Sequence, residues 1–181
     1  MNNKGSTLVL LVIVIALVMV LGVSVLNIVV KQYEIKMFNS EIKQSFYMAE
    51  TGLNEAYVRT CVLINESIQT ALQLTEEYLA IYPLNETEAK DMFVTSYIQS
   101  IRLNIKSRID TSMNPSVETI NSPLLFYNNV LKVPLLSSYV NLGNNAKHMW
   151  VDLIISVPEF SDIVDSGYDV KDYIEFANWN S

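Results

Sequence analysis

The sequence predicts an α+β protein, in which a long N-terminal α-helix with a transmembrane first half is followed by a further helix and a small antiparallel β-sheet. Three observations predict this fold. Residues 8–30 carry no charged side chain. Residues 31–82 contain no proline and a single glycine, so they offer little that would end a helix. From about residue 111, Asn, Pro and Gly cluster between short runs of β-branched and aromatic residues, as in strands joined by turns.

The first element is the uncharged stretch from Leu8 to Val30. As a helix it would be about 35 Å long, which is enough to cross a hydrocarbon core of about 30 Å. A secretory signal peptide is one alternative, with Gly22 and Ser24 as the small residues at its cleavage site. The apolar run continues beyond Ser24, however, and this favours a membrane-spanning helix. A second alternative is a plain single-pass anchor with a juxtamembrane helix.

Residues 31–82 continue the same helix as an amphipathic segment. Its apolar residues recur in steps of three and four, and we expect this stripe to pack on the C-terminal residues. Pro83 ends the helix, because the residue before a proline avoids the α region. A helix over residues 6–82 would be unusually long, so we expect a break or offset between Arg59 and Asn65. The stripe comprises Ile35, Phe38, Ile42, Phe46, Ala49, Leu53 and Ala56.

The C-terminal part, residues 83–181, opens with a helix predicted over about residues 86–109. Asn85 and Glu88 are a candidate cap pair at its start. Phe93 and the apolar residues that follow it in steps of four lie on one side of this helix. That side is predicted to face the core.

The sheet is predicted over about residues 130–179, with three or four antiparallel strands. Residues 147–157 have the clearest strand pattern, and a last strand is expected over 172–179. Residues 131–136 are expected at an edge of the sheet, because Pro134 has no N–H to donate to a neighbouring strand.

Composition excludes several classes of function. The chain has 181 residues, with 12 Lys and Arg against 19 Asp and Glu, and its formal net charge is −7. We therefore expect no binding to nucleic acid, which requires a basic surface. The single Cys61 cannot form an internal disulfide. With His148 as the only histidine, a metal site built from Cys and His side chains is nearly excluded.

No catalytic set of residues can be defended, so we expect neither enzymatic activity nor a cofactor. His148 and Cys61 are expected to have structural roles. The acid-rich segment after His148 places Asp162, Asp165 and Asp169 in a short loop, where their carboxylates are weak candidates for calcium ligands. The spacing of an EF-hand is absent, and a solvated acidic surface is the simpler interpretation.

Two short patterns near the N-terminus carry a resemblance to a known family. A polar leader ends at Lys4 and Gly5 and is followed by Ser6 and the apolar stretch, and residues 45–56 read SFYMAETGLNEA. Together they resemble the class III prepilin signal and the aromatic-Ala-Glu-x-Gly-Leu segment of PilX-type type IV minor pilins. The resemblance covers about residues 4–60, a third of the chain, and implies a pilin-like fold.

The resemblance implies that prepilin peptidase cuts between Gly5 and Ser6 and removes a leader of residues 1–5. Residues 6–30 would then be the transmembrane half of the N-terminal helix. Lys4 would hold the leader on the cytoplasmic side, and Gly5 has no Cβ to obstruct the peptidase site. In this family the new terminal amine is often methylated. Ser6 departs from the usual Phe or Met at that position.

The fifth residue of the mature chain would be Leu10. Major pilins carry a glutamate there, which is thought to pair with the terminal amine of a neighbouring subunit. This chain has no acid from Met1 to Val30. In this respect it resembles PilX-type minor pilins and the K-type tip subunit of type II secretion, in which the acid is also missing. The resemblance therefore implies a low-copy subunit that initiates a filament or lies near its tip.

Glu50 and Gly52 match the segment that ends the N-terminal helix in the family, where a contact between subunits is one interpretation. The alternative is that Gly52 marks close packing with the C-terminal part and that Glu50 is a solvated acid. A glycine inside a helix costs about 1 kcal/mol relative to alanine, which is tolerable where another segment packs closely against it.

The function that the resemblance implies is that of a structural minor pilin of a type IV pilus or a related filament of the type II secretion kind. Its partners would be prepilin peptidase, other minor and major pilins, the membrane assembly platform and the lipid bilayer. Before assembly it would be a single-pass membrane protein with its C-terminal domain outside the cytoplasm, and afterwards part of a pilus or the surface of a bacterium. The alternative function is an unprocessed, membrane-anchored binding or sensor domain.

Overall fold

The computed structural model describes residues 4–83, 85–120, 124–141, 146–165 and 167–180, apart from the side chains of residues 4–6 and 165. It has the α+β fold predicted from the sequence, with a long N-terminal helix, a further helix and a small antiparallel sheet. The elements are α1 (Lys4–Ile81), α2 (Glu86–Ile109), β1 (Ser116–Thr119), β2 (Phe126–Tyr127), β3 (Val130–Val140), β4 (Ala146–Ser156), α3 (Phe160–Asp165), a 3₁₀ turn (Val170–Tyr173) and β5 (Ile174–Asn180).

The chain divides into two compact units, Met1–Lys43 and Gln44–Ser181. In the first unit the apolar part of α1 is long enough to cross a membrane, by length and composition, a criterion that a signal sequence also meets. Of the expected apolar stripe, the members in the second unit include Ala49, Leu53 and Ala56, which are buried. The first three members lie in the first unit. Ile35, Phe38 and Ile42 are 59%, 60% and 46% exposed.

In the second unit α1 buries one face, beginning at Ser45. The break expected between Arg59 and Asn65 does not occur, because the described helix continues to Ile81. Its buried stripe runs unbroken through that region. The buried hydroxyl of Thr60 donates to the carbonyl of Ala56 at 2.8 Å, so this polar side chain has its hydrogen bond within the helix.

The second helix, α2, coincides with the range expected from the sequence. It runs antiparallel to α1. The hydroxyls of Ser67 and Ser100 lie 2.9 Å apart, and Arg108 forms an ion pair with Glu66. One residue in each turn is buried against the core. These buried residues are Ala89, Phe93, Tyr97, Ile101, Ile105 and Ile109.

The expected cap pair at the start of α2 is wrong. Asn85 precedes the helix but makes no capping hydrogen bond with its side chain. Its Nδ2 instead donates to the Tyr78 hydroxyl at 3.4 Å, and that hydroxyl donates to the Glu88 carboxylate. The Tyr78 hydroxyl, near the end of α1, is thus the hydrogen-bond partner of both side chains of the expected pair.

The strands form one antiparallel sheet in the order β1-β3-β4-β5, with β2 pairing the start of β3. Alternate residues of β3 and β4 are buried in the core, and Leu131, Val133 and Leu153 are fully buried. The intervening residues lie on the opposite face, where Lys132 and Trp150 are exposed.

The expected edge position of residues 131–136 is wrong, because β3 lies between β1 and β4. Pro134 is tolerated there for a geometric reason. The N–H and C=O groups of one residue in an antiparallel strand point to the same neighbour. The carbonyl of Pro134 accepts from Ile120, on the β1 side, just beyond the end of β1 at Thr119. The missing N–H therefore costs no hydrogen bond to β4.

Candidate functional site

The segment of residues 45–56 packs tightly within this chain at Gly52. A Cβ placed on Gly52 would lie 2.8 Å from the Ser137 hydroxyl and 3.1 Å from Pro115 Cγ. Contacts this short are closer than ordinary van der Waals separation, so Gly52 is the residue that lets α1 approach β3 and the loop before β1. The packing interpretation of Gly52 therefore has a structural basis.

Ser137 fixes the same junction with a buried hydrogen bond. Its hydroxyl donates to the main-chain carbonyl of Ala49 at 2.7 Å, and Ser137 is fully buried. Ala49 is also fully buried, one turn before Gly52. Two small residues on α1 and one serine on β3 thus bring a helix and a strand together without leaving a buried polar group unpaired.

Glu50 lies beside this junction but does not take part in it. Its side chain is half-buried. Among the residues that the structure describes, Glu50 has no hydrogen-bond or ion-pair partner. A half-exposed carboxylate without such a partner is solvated by water and is accessible to a cation or a donor.

The residues of the proposed processing site lie at the start of α1. The backbone is helical from Lys4 through Gly5 and Ser6, while their side chains lie outside the described part of the structure. Leu10 is 65% exposed, and the large apolar residues from Leu8 to Val30 are exposed on every side of the helix. A helix that is apolar all round requires an apolar environment around it.

The polar residues inside this stretch do not interrupt the helix. The hydroxyl of Ser24 donates to the carbonyl of Val20 at 2.8 Å. This bond within the helix satisfies the hydroxyl, as an apolar environment requires. Apart from its own helical backbone, no residue that the structure describes lies within 4 Å of a Cβ placed on Gly22.

The acidic candidates for calcium do not form a ligand cage in the described residues. Asp162 lies in α3, while Asp169 accepts a hydrogen bond from the backbone N–H of Lys171 at 3.0 Å and begins the 3₁₀ turn. The side chain of Asp165 lies outside the described set. Among the described side chains, no group of three or more His, Cys, Asp or Glu residues is placed to hold a metal ion.

The loop between α3 and the 3₁₀ turn is instead anchored on α1 through Tyr168. The Tyr168 hydroxyl donates to Asn65 Oδ1 at 2.9 Å and accepts from Gln69 Nε2 at 2.7 Å. Both partners lie on α1, four residues apart, and so share one face of that helix. These hydrogen bonds hold the acidic segment against α1.

His148 and Cys61 also lie beside residues of neighbouring parts of the fold. The Nδ1 of His148 lies 2.8 Å from the Ser138 hydroxyl on the neighbouring strand. Cys61 is half-buried beside Tyr57, and burial raises the pKa of its thiol. A raised pKa keeps a thiol protonated and unreactive. The Tyr57 ring in turn packs on Phe176 of β5, with the ring centres 5.3 Å apart.

One cross-strand cluster on the exposed face of the sheet was not expected from the sequence. Asp152 on β4 forms an ion pair with Lys132 on β3 at 2.7 Å and accepts from Asn178 Nδ2 at 2.7 Å. Partial burial alone would raise the pKa of Asp152, but these two donors lower it below its usual value. Asn178 has a left-handed backbone (φ 54°), at an irregularity in the pairing of β4 with β5. The cluster therefore fixes the end of the last strand.

No protein-family model, curated protein or solved structure matches this chain.

Proposed function

We propose that this chain is a structural minor pilin of a type IV pilus, or of a related filament of the type II secretion kind. The observation that carries the proposal is a short polar leader ending in Lys4 and Gly5 directly before an apolar helix. That helix leads without a proline into the segment of residues 45–56. The α+β layout, with a long N-terminal helix, a further helix and a small antiparallel sheet, is compatible with such a subunit.

The exposed apolar helix supports this role. Residues 8–30 would lie in the bilayer before assembly, where a helix satisfies all its own backbone groups. In a filament the same surface would be covered by the helices of neighbouring subunits. A transfer between these two environments exchanges one apolar surrounding for another, and residues 8–30 carry no charged side chain that would have to be buried on the way.

The unpaired carboxylate of Glu50 supports a contact between subunits. It lies beside the junction of Gly52 with Ser137, so its backbone is held by tight packing. A carboxylate on a backbone that is already held can accept a charge-assisted bond from a neighbouring chain, and only its own side chain has to be ordered. Major pilins and sister minor pilins are the partners that would supply the donor.

The absence of an acid at Leu10 supports a low copy number. A subunit without that acid cannot neutralise the terminal amine of a neighbour, so stacking of identical copies is disfavoured. We place the chain as an initiating or tip-proximal subunit. It would be processed by prepilin peptidase in the membrane, passed to the assembly platform and displayed on a pilus or the cell surface of a bacterium, with its C-terminal domain outside the cytoplasm.

Intact mass spectrometry of the membrane-extracted protein tests this function directly. The expected mass is that of a chain beginning at Ser6, with or without one N-terminal methyl group. A matched strain that lacks prepilin peptidase should yield the chain with residues 1–5 still attached. A chain that retains Lys4 and Gly5 in the strain with active peptidase would contradict the pilin assignment. It would favour an unprocessed, membrane-anchored binding or sensor domain.

A further inference from the structure

The outward face of α2 carries an ordered stripe of polar residues. Its members follow one another in steps of three and four, which aligns them along one face of the helix. All six are exposed, and they change from acidic to uncharged to basic along the helix. The stripe comprises Glu88, Asp91, Thr95, Gln99, Arg102 and Lys106.

Two open grooves run along this face and meet at Thr95. One has a volume of about 330 Å³ and is lined at its acidic end by Glu88 and Asp91. The other has a volume of about 610 Å³ and is lined by Arg102 and the 72% exposed Leu103. The charges along the stripe are largely unused within the chain. Among the residues that the structure describes, Asp91, Arg102 and Lys106 have no ion-pair partner.

The charges of the stripe are complementary to those of the same stripe on a second copy, if the second helix runs in the opposite direction. The midpoint between Asp91 and Arg102 falls between residues 96 and 97, and the midpoint between Glu88 and Lys106 falls at residue 97. A two-fold axis near residue 97 therefore brings both acids opposite both bases of a second copy. A parallel arrangement in the same register would instead place like charges together, which is unfavourable.

The apolar residues that flank the stripe obey the same symmetry. Met92 and Leu103 have their midpoint between residues 97 and 98 and lie on one side of the stripe, at 100° per residue. Asp91 and Arg102 lie on the other side. An antiparallel pair of helices thus sets Met92 against Leu103 of the second copy on one flank, and Asp91 against Arg102 of the second copy on the other.

We propose that the outward face of α2 binds a second copy of this chain, with the two α2 helices antiparallel about a two-fold axis near residue 97. Such an interface is isologous, because each copy contributes the same surface. Since α1 and α2 are antiparallel neighbours, residues 44–81 of the two copies also run in opposite directions. The contact therefore differs from packing within one filament, whose subunits share a direction. It goes beyond the proposed function and does not depend on it.

Cysteine cross-linking of the full chain in detergent tests this interface. Thr95→Cys in a Cys61→Ser background places one thiol close to the two-fold axis, and a short bismaleimide should join two chains. Glu118→Cys, an exposed position on β1, is the matched control and should remain monomeric. Absence of a dimer at Thr95→Cys, or equal yields at both positions, would overturn the proposal.

Charge exchange within one chain makes the test specific to the antiparallel register. Asp91→Arg alone or Arg102→Asp alone should lower the dimer yield about tenfold, because each change converts two symmetry-related attractions into repulsions. The double variant should restore it, since the exchanged charges meet again across the axis. Positions 91 and 102 are about 16 Å apart along one helix, so this rescue cannot arise within a single chain. A double variant as weak as the single ones would exclude the proposed register.

Sedimentation of the chain with its native cysteine provides an independent measurement, should a cysteine variant fail to fold. The proportion of dimer should fall between low salt and about 1 M salt, where the Debye length is about 3 Å. The Arg102→Asp variant should show a smaller proportion of dimer than the unsubstituted chain already at low salt. A salt-independent mass that is also unchanged by Arg102→Asp would overturn the pairing.

Discussion

The hydroxyl of Ser137, in the middle of β3, donates a hydrogen bond of 2.7 Å to the carbonyl of Ala49 in α1. The two residues are 88 positions apart in the chain. One turn further along the helix, Gly52 leaves the space that this approach requires. The helix and the sheet are thus joined at this point. The buried hydrogen bond requires the helix to approach the strand closely, and this approach is possible because Gly52 has no side chain.

We expect Gly52→Ala to lower the free energy of unfolding by about 1 kcal/mol. Alanine would gain about 1 kcal/mol through helix propensity, but a Cβ at 2.8 Å from Ser137 and 3.1 Å from Pro115 costs about 1–3 kcal/mol in a close-packed site. Gly52→Val should cost more. Chemical denaturation followed by circular dichroism measures the difference. Asn54→Ala, on the exposed side of the same turn, is the control and should be neutral or stabilising. A stabilised Gly52→Ala would show that the junction can relax.

The sequence predicted the fold class because hydrophobic periodicity and turn residues are local signals. The apolar stretch, the end of α1 near Pro83 and the extent of α2 are all set by residues close to one another in the chain. The expected break in α1 was wrong because it came from typical helix lengths and not from a breaker between Arg59 and Asn65. The expected edge strand was wrong because the tolerance of Pro134 depends on where β1 ends, which is a tertiary property.

The tertiary contacts of the candidate site were harder to predict from the sequence. The motif suggested a role for Gly52, yet nothing local pairs it with Ser137 or Pro115. The stripe on α2 was present in the sequence as acids followed by bases in steps of three and four. The core-facing residues of that helix, such as Phe93 and Tyr97, are sufficient to predict it, and the stripe adds nothing to that assignment.

Tyr97→Phe should cost about 1 kcal/mol near neutral pH, because the fully buried hydroxyl donates to the carbonyl of Ser156 at 3.2 Å. Burial raises the pKa of Tyr97 well above its usual value of about 10. Above about pH 10 the unfolded chain therefore loses this proton while the folded chain keeps it, and the contribution to stability falls as pH rises.

The stability difference between the unsubstituted chain and Tyr97→Phe should consequently narrow between about pH 7 and pH 11. Urea denaturation at about pH 7 and pH 11 measures this difference. The pKa shifts of the other tyrosines are common to both proteins, so the change with pH reports on Tyr97. A difference that stays constant across the range would show that Tyr97 titrates normally.

A fragment of residues 44–181 should be soluble and folded, because the buried stripe of α1 begins at Ser45. A fragment of residues 31–181 should also fold but should bind a hydrophobic dye more strongly, since it retains the exposed Ile35, Phe38 and Ile42. Replacing these three residues with serine in the longer fragment is the control, and it should return dye binding to that of the shorter one. Loss of structure in the 44–181 fragment would contradict an independent domain.

Gly5→Val should block removal of residues 1–5, because a branched Cβ would obstruct the peptidase site that the proposed function requires. Gly22→Val is the matched control. It adds the same side chain to the same helix, beyond the scissile bond, where no described residue outside the local helical backbone lies within 4 Å of the added Cβ. Intact mass should show an unprocessed chain for the first variant and a chain beginning at Ser6 for the second. Normal processing of Gly5→Val would remove the basis of the prepilin interpretation.

Leu10→Glu should leave processing unchanged, because the residue lies beyond the scissile bond, but it should raise the number of copies in a filament. The acid would supply the group that neutralises the terminal amine of a neighbour, which the unsubstituted chain lacks between Met1 and Val30. Leu10→Gln, which is polar and of similar size but carries no charge, separates this effect from that of polarity alone and should leave the copy number low.

Quantitative mass spectrometry of sheared filaments measures these copy numbers. The chain with Leu10 should be present in far fewer copies than the principal subunit, because hydrophobic helices can still bundle at one unique position while repeated stacking lacks its charge pair. An increase for Leu10→Glu without one for Leu10→Gln would identify the missing carboxylate as the cause. Finding the unsubstituted chain at an abundance comparable with that of the principal subunit would exclude the initiating or tip-proximal position, while remaining compatible with a pilin.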